Sequence, residues 1–189
     1  MHNALLSLLV TIVDRGKAES VTALLSREGA YHHIVALGRG TAHKGILSLL
    51  GLKDTDKDVV FSFLPNHVAA GALQRLSYAV DMDRPGRGIA FTVPVGSVGG
   101  AATLKLLMGG EGHARPEEGK ETMEQMKNEL IVAIINKGFS ETVMEAARPA
   151  GAGGGTVIHA RGAAPQEGSH FFGITIQPEK EMLLIVVEK

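Results

Sequence analysis

Two arginine–glycine corners are the places where this sequence could do chemistry. Gly38-Arg39-Gly40 and Arg161-Gly162 each end an apolar, β-branched run and each open a long stretch of loop composition. Glycine bares backbone N–H groups that can hold phosphate oxygens, and Arg adds a two-pronged donor. A second reading is open at the same positions, because Gly also lets a strand end adopt a positive φ. The histidines form the other candidate set. His32-His33 with His43, and His159 with His170, can bind metal, but neighbours on a strand point to opposite faces, which works against a shared site.

Other motifs are excluded on their residues. Gly119-Lys120 is followed by Glu121 where a P-loop needs Ser or Thr, and Ala114 stands at its first glycine. Gly151–Gly155 precedes a strand-like run and has Thr156 at its sixth position, which breaks a dinucleotide fingerprint. No nucleophile elbow, paired-carboxylate motif or HExxH is present. The sequence therefore points to binding rather than to acid–base or nucleophilic catalysis.

The elements that must position the corners repeat. Leu9–Gly40 and Ile131–Gly162 share Gly16/Gly138, Gly29/Gly151 and Arg39/Arg161, each pair 122 positions apart (138 − 16). Gly51/Gly173 keep the same spacing. A fixed offset of this kind is the signature of an internal duplication. In the first copy, strands are expected at Leu5–Val13, Tyr31–Leu37, Val59–Leu64 and Ile89–Val95. One helix carries Ala18, Val21, Leu24 and Leu25 inward and stops at Gly29. Another, capped by Asn66, carries Ala69, Ala72, Leu73, Leu76 and Val80. Thr41–Asp58 reads as a long loop and Asp83–Gly88 as a tight turn.

In the second copy the expectation is a strand at Leu130–Ile135, a helix capped by Ser140 that ends before Pro149, and strands at Thr156–His159 and Met182–Val187. The fold class expected is α+β: two ferredoxin-like (βαββαβ) domains in tandem, the second lacking its last helix and strand. The domains are 1–96 and 129–189. Residues 97–128 form a Gly- and charge-rich linker, partly helical from Pro116 to Lys127, with Leu104, Leu107 and Met108 folding back on the first domain. The unfinished second sheet points either to another chain that completes it or to a shortened copy, because an uncovered edge is a liability.

Composition narrows the class further. The chain has 189 residues, a formal net charge of −1, 21% charged residues and no cysteine. A near-neutral chain without a clustered basic face is a poor match for nucleic acid. The lack of cysteine excludes disulfides and thiolate chemistry and points to the cytoplasm. Ala4–Val13 is apolar but too short to span a bilayer, and it reads as a buried strand rather than a signal peptide.

The ordered set LLVTIVDRGKAESV, the strand leading to GRG, the long loop, DVVFSFLP and PGRGIAFTVPV resembles the P-II nitrogen-regulatory signalling family, and GGTVIHARG with EKEMLLIVVEK carries the likeness into the second copy. It covers most of the chain outside 97–128. The resemblance implies a non-enzymatic, trimeric sensor that needs no cofactor. Such a sensor binds ATP, ADP or AMP, in some members with 2-oxoglutarate, in clefts between adjacent domains, and docks its long loop on a membrane transporter or an enzyme. By that resemblance Gly38, Arg39, Gly40, Arg161 and Gly162 are loop roots. Pro85, Gly86, Arg87 and Gly88 form the phosphate-holding glycine loop, and Gly154, Gly155 and Thr156 face the adenine. The chain departs from the pattern at Ile89, where a phosphate-binding lysine is usual, and at Thr41-Ala42, where a glutamine is expected. It has no tyrosine in Thr41–Asp58 for uridylylation, and the second copy has no glycine loop of its own. Arg87 is the residue that can replace the lost charge. The alternative class is a metal- or anion-binding trimer of the copper-tolerance-like type, which would use the histidines.

Overall fold

The computed structural model describes residues 5–40, 56–84, 86–109, 128–163, 169–171, 174–176 and 179–188. It is an α+β protein of two compact units, one of residues His2–Glu111 and one built mainly of Gly112–Lys189. No helix among the described residues is long and apolar enough to cross a membrane.

The first unit runs β1 (Leu6–Asp14), α1 (Ala18–Arg27), β2 (His32–Arg39), β3 (Asp56–Pro65), α2 (Asn66–Val80), β4 (Gly88–Val95) and α3 (Ala101–Leu107). Its strands lie in the order β4-β1-β3-β2, with every neighbouring pair antiparallel. The strand period of two decides the layering. Leu9 and Val13 of β1, Val60 and Leu64 of β3 and Val35 of β2 are buried on the side carrying the helices. There they meet the helical stripes Ala18, Val21, Leu25 and Ala69, Ala72, Leu76. Leu24, Leu73 and Val80, expected in those stripes, are only half-buried. The opposite side is also apolar, and along β4 it is largely bare, with Ile89, Phe91 and Val93 exposed.

The second unit runs β5 (Asn128–Asn136), α4 (Ser140–Ala147), a 3-10 turn (Arg148–Ala150), β6 (Gly155–Gly162), β7 (Ser169–Phe171), β8 (Ile174–Ile176) and β9 (Glu179–Glu188). Its order is β6-β9-β5, again antiparallel, while β7 and β8 pair as a separate hairpin. Met144, Ala152, Leu183 and Ile185 form its core, with Ala133, Val143, Ala147 and Val187 packed around them.

The two units make matching hydrogen bonds. The amide of Ala30 reaches the Leu25 carbonyl at 3.0 Å, and Ala152 reaches Ala147 at 3.1 Å. The amide of Arg15 donates to the Asp56 carbonyl at 3.3 Å, and Lys137 donates to Glu179 at 3.4 Å. The turn after the first strand is clamped the same way twice. Asp58, buried on β3, accepts from the Gly16 and Ala18 amides at 2.8 and 3.2 Å, and Glu181 on β9 accepts from Gly138 at 3.1 Å. Gly16 and Gly138 have φ of +82° and +92°, which side chains rarely adopt, so glycine is needed there.

Several expectations are corrected. Neither Asn66 nor Ser140 caps its helix: Pro65 and Phe139 hold the cap positions without a side-chain bond. The Asn66 carboxamide instead accepts from the Ser7 hydroxyl at 2.6 Å, tying helix start to β1. The third strand begins at Asp56 rather than Val59, because Asp56, Lys57 and Asp58 all bond across to β1 or its turn. The matching strand of the second copy, β9, begins at Glu179 rather than Met182, and the loop before it contains the β7–β8 hairpin. The offset is therefore 122 up to the second strand and 123 beyond it (181 − 58). Gly51 and Gly173 lie outside the described residues, as do most of the loop Thr41–Asp58 and the helix expected from Pro116 to Lys127. Within the expected linker, α3 forms. Leu104, Leu107 and Met108 are its half-buried residues, and the Leu106 carbonyl lies 3.1 Å from His32 Nε2.

Removing the Asp58 carboxylate takes the acceptor from the Gly16 amide in an exposed turn and from the buried Ala18 amide at the helix start. Asp58→Ala is expected to cost about 3 kcal/mol and Glu181→Ala, with one such amide, about 1 kcal/mol. Urea unfolding midpoints measure both, and an Asp58→Ala midpoint equal to the parent's would remove the clamp from the account.

Candidate functional site

At one end of each sheet, where the chain leaves the second strand, the same charged residues converge. In the first unit Arg39 on β2 lies opposite Asp56 on β3, and the Arg15 amide binds the Asp56 carbonyl. One register step inward, Gly38 lies opposite Lys57, and Lys57 is ion-paired with Asp14. One step further, Asp58 meets the Arg15 guanidinium at 3.7 Å. In the second unit Arg161 lies opposite Glu179, whose carboxylate is 3.0 Å from the Lys137 ammonium. Lys180 donates to Asn136 at 2.8 Å, and buried Glu181 lies 3.6 Å from Nδ1 of exposed His159.

The corners are alike in plan and different in charge. The first sets Arg15, Lys57 and Arg39 against Asp14, Asp56 and Asp58, which is neutral. The second sets Lys137, Lys180 and Arg161 against Glu179 and Glu181, because Asn136 stands where Asp14 stood. That leaves one positive charge before His159 is counted. A pocket of about 170 Å³ opens at this second corner, lined by Lys137, His159, Ala160, Glu179 and Lys180. Ligand pockets that enclose a drug-sized molecule run from about 300 Å³ upward, so this one has room for a phosphate-sized group rather than a whole nucleotide.

The residues singled out in the sequence distribute unevenly around these corners. Gly38 and Arg39 belong to the end of β2, and Gly40 follows it. Gly38 has no positive φ; a Cβ there would meet Val59 at 3.0 Å, so close approach of β3 is what favours glycine. Gly86 and Arg87 sit in the turn before β4, and Gly88 opens that strand. Pro85 lies outside the described residues. Gly88 pairs with Val13, Val13 with Asp58 and Asp58 with Leu37. The glycine turn thus shares the loop-root end of the sheet but lies three strand spacings away, roughly 14 Å. Arg161 and Gly162 end β6, whereas Gly155 and Thr156 begin it and Gly154 precedes it. Gly155 and Arg161 are thus six steps apart along the strand, about 20 Å. Gly155 is pinned under Met144 and Leu183, which a Cβ would approach to 3.0 and 2.9 Å.

Arg15, Lys57, Lys137 and Lys180 join the corner beyond the arginine–glycine pairs. Their signal is present as Asp56-Lys57-Asp58 and Glu179-Lys180-Glu181, acid–lysine–acid in both copies. The one-residue change of offset in the preceding loop hides it from a search at 122.

The histidines are dispersed. His32 meets the Leu106 carbonyl and His159 meets Glu181. His33 is buried, with Ser26 Oγ 3.0 Å from Nε2 and Ser62 Oγ 2.8 Å from Nδ1. Loss of solvation lowers its pKa to about 4, against a bond to Ala30 that raises it, with neighbouring His32 lowering it further. His43 lies outside the described residues. Among the described residues no group of three His, Asp or Glu gathers as a metal site would require.

His33 is neutral in the folded chain and titrates near 6.5 when unfolded. Its contribution to stability is complete above pH 6.5 and declines as pH falls toward 4, by about 3 kcal/mol in all. Urea midpoints of the parent and of His33→Leu across that range test this: the parent should lose more stability than the variant, and parallel curves would contradict it. Comparison with models of known protein families gives no match for this chain, and comparison with curated proteins gives none either.

Proposed function

We propose that this chain is a non-enzymatic regulatory protein of the P-II-like kind, built of two ferredoxin-like modules in tandem. In this reading it senses an adenine nucleotide or a related anionic metabolite at its sheet corners. It passes that state to a membrane transporter or an enzyme through the long loops that leave those corners. The element order βαββαβ with strand order β4-β1-β3-β2 supports the first module, and the β6-β9-β5 arrangement repeats its β2-β3-β1 portion.

One observation carries the reading. A corner of basic residues around a strand-end acid is built twice: Arg39 lies across from Asp56, to whose backbone carbonyl the Arg15 amide binds, and Arg161 lies across from Glu179, which is ion-paired with Lys137, with Lys57 and Lys180 beside them. Core packing does not call for such a cluster, whereas anion recognition does. The second corner is the better anion site, since Asn136 removes a repelling carboxylate and Lys180 keeps its charge unopposed there. A pocket of phosphate size leaves the rest of a nucleotide to be covered by a second chain, in keeping with a homo-oligomer, a trimer on the resemblance. The alternative, a metal- or anion-binding trimer, draws on His159 beside Glu181. Two ligands fall short of the usual three or four, and metal analysis of the purified protein separates the two readings.

A thermal-shift panel of ATP, ADP, AMP, cyclic AMP and inorganic phosphate should raise Tm with at least one member, by mass action on the native state. In calorimetric titration Arg161→Ala and Lys180→Ala should each weaken that ligand about tenfold, the value of one charge-assisted bond. Asn136→Asp should weaken it by a similar factor by restoring the charge pattern of the first corner. Arg87→Ala reports on the first corner and its glycine turn. A flat panel, or unchanged affinity in all four variants, would sink the proposal.

A further inference from the structure

Strand β1 is sealed on two sides. On its helix-bearing side Leu9 and Val13 are buried to within 1% of full cover, and along its outer edge it is hydrogen-bonded to β4. Strand β5 is the same strand 122 residues on; among the described elements it has no partner on its outer edge, and on its helix-bearing side only Ala133 packs against the core. Ile131, at the position of Leu9, is 48% exposed, and Leu130 on the other side is 60% exposed, beside Val186 at 61%. β5 is the outermost strand of its sheet. It is nine residues long, reads NELIVAIIN, and has no lysine, proline or bulge to blunt it. A long apolar edge of this kind is a template for another strand.

We propose that β5 is an interface between two copies of this chain, paired antiparallel about a two-fold axis at Val132. The strand's own sequence selects a second copy as the occupant. Turned about Val132, Ile131 faces Ala133, Leu130 faces Ile134 and Glu129 faces Ile135, so apolar meets apolar and no carboxylate meets another. The apolar residues exposed on both sides of the strand then continue across the axis: Leu130, Ile134 and Val186 on one side, Ile131 on the other. A two-fold pairing is also closed, since each copy spends its edge on the other and no strand is left to recruit a third. This interface is independent of the ligand reading and requires none of the corner residues.

The absence of cysteine makes the test direct. In a Val132→Cys protein, directly opposed residues of an antiparallel pair place their Cα atoms about 4.5–5.5 Å apart, within disulfide reach. Mild oxidation should yield a disulfide-linked dimer. Leu130→Cys and Ile134→Cys should each stay unlinked, because each meets its own copy about 13 Å along the strand. Mixing those two should link them. Light scattering should show Ile131→Lys and Val132→Pro losing the two-fold partner, with circular dichroism reporting that each remains folded. If the proline variant unfolds, the surface change Ile131→Lys still decides. The proposal is overturned by a monomeric parent with no Val132→Cys dimer after oxidation. It is also overturned if Leu130→Cys or Ile134→Cys links alone while Val132→Cys does not, or if association survives Ile131→Lys and instead fails with Val93→Pro on β4.

Discussion

A buried carboxylate on the third strand holds each half of this protein together. Asp58 reaches across from β3 to take the amides that the turn after β1 leaves exposed, and Glu181 does so from β9. The turn is forced into a glycine conformation, and a helix start always presents unpaired N–H groups. Neither α1 nor α4 has a side-chain cap of its own. The carboxylate supplies part of what a cap would, and it does so from a strand distant in sequence. It thereby fixes the register of that strand, the entry of the helix and the position of the basic residue just before the glycine, Arg15 or Lys137. The charged corner is a by-product of that fixation: once the clamp is set, the lysine and acid flanking it on the same strand have only one place to go.

Much of this was legible because periodicity and punctuation agree. The apolar runs ending at Asp14, Arg39 and Pro65 gave strands within one to three residues of those observed, and the stripes of Val21 and Leu25, or Ala69, Ala72 and Leu76, placed their helices correctly. What was not legible lay where a long-range bond overrides a local preference. Asn66 has the composition of a cap but spends its carboxamide on Ser7. Asp56 to Asp58 look like loop residues yet extend β3, because ion pairs and backbone bonds to β1 reward the extension. The corner itself was half seen: arginine and glycine at the end of the second strand stood out, while Lys57 and Lys180 stayed hidden behind a one-residue difference in loop length.

The two copies share a frame and divide in chemistry. Position by position, Asp14 becomes Asn136, Arg15 becomes Lys137 and Leu37 becomes His159. The frame bonds persist through all three changes, since Lys57 and Lys180 both reach back to the end of the first strand. The first corner is charge-balanced and backed by a glycine turn at the same end of its sheet. The second carries an excess of positive charge and a small pocket. At the corner the two units thus differ in what is presented to solvent, while the bonds that align the strands are the same in plan.

The same comparison reaches the core. The trio Ser26, His33 and Ser62 of the first unit corresponds to Arg148, Gly155 and Ile185 in the second, where sulfur and aliphatic carbon fill the space of an imidazole. The first unit thus carries a buried imidazole held below its usual pKa where the second has glycine. As the medium acidifies toward pH 4, the first unit has a buried imidazole to charge, and the second has none at the matching position. Acid therefore weighs on the two interiors unequally, because a charge must be set down in one and not at the same place in the other.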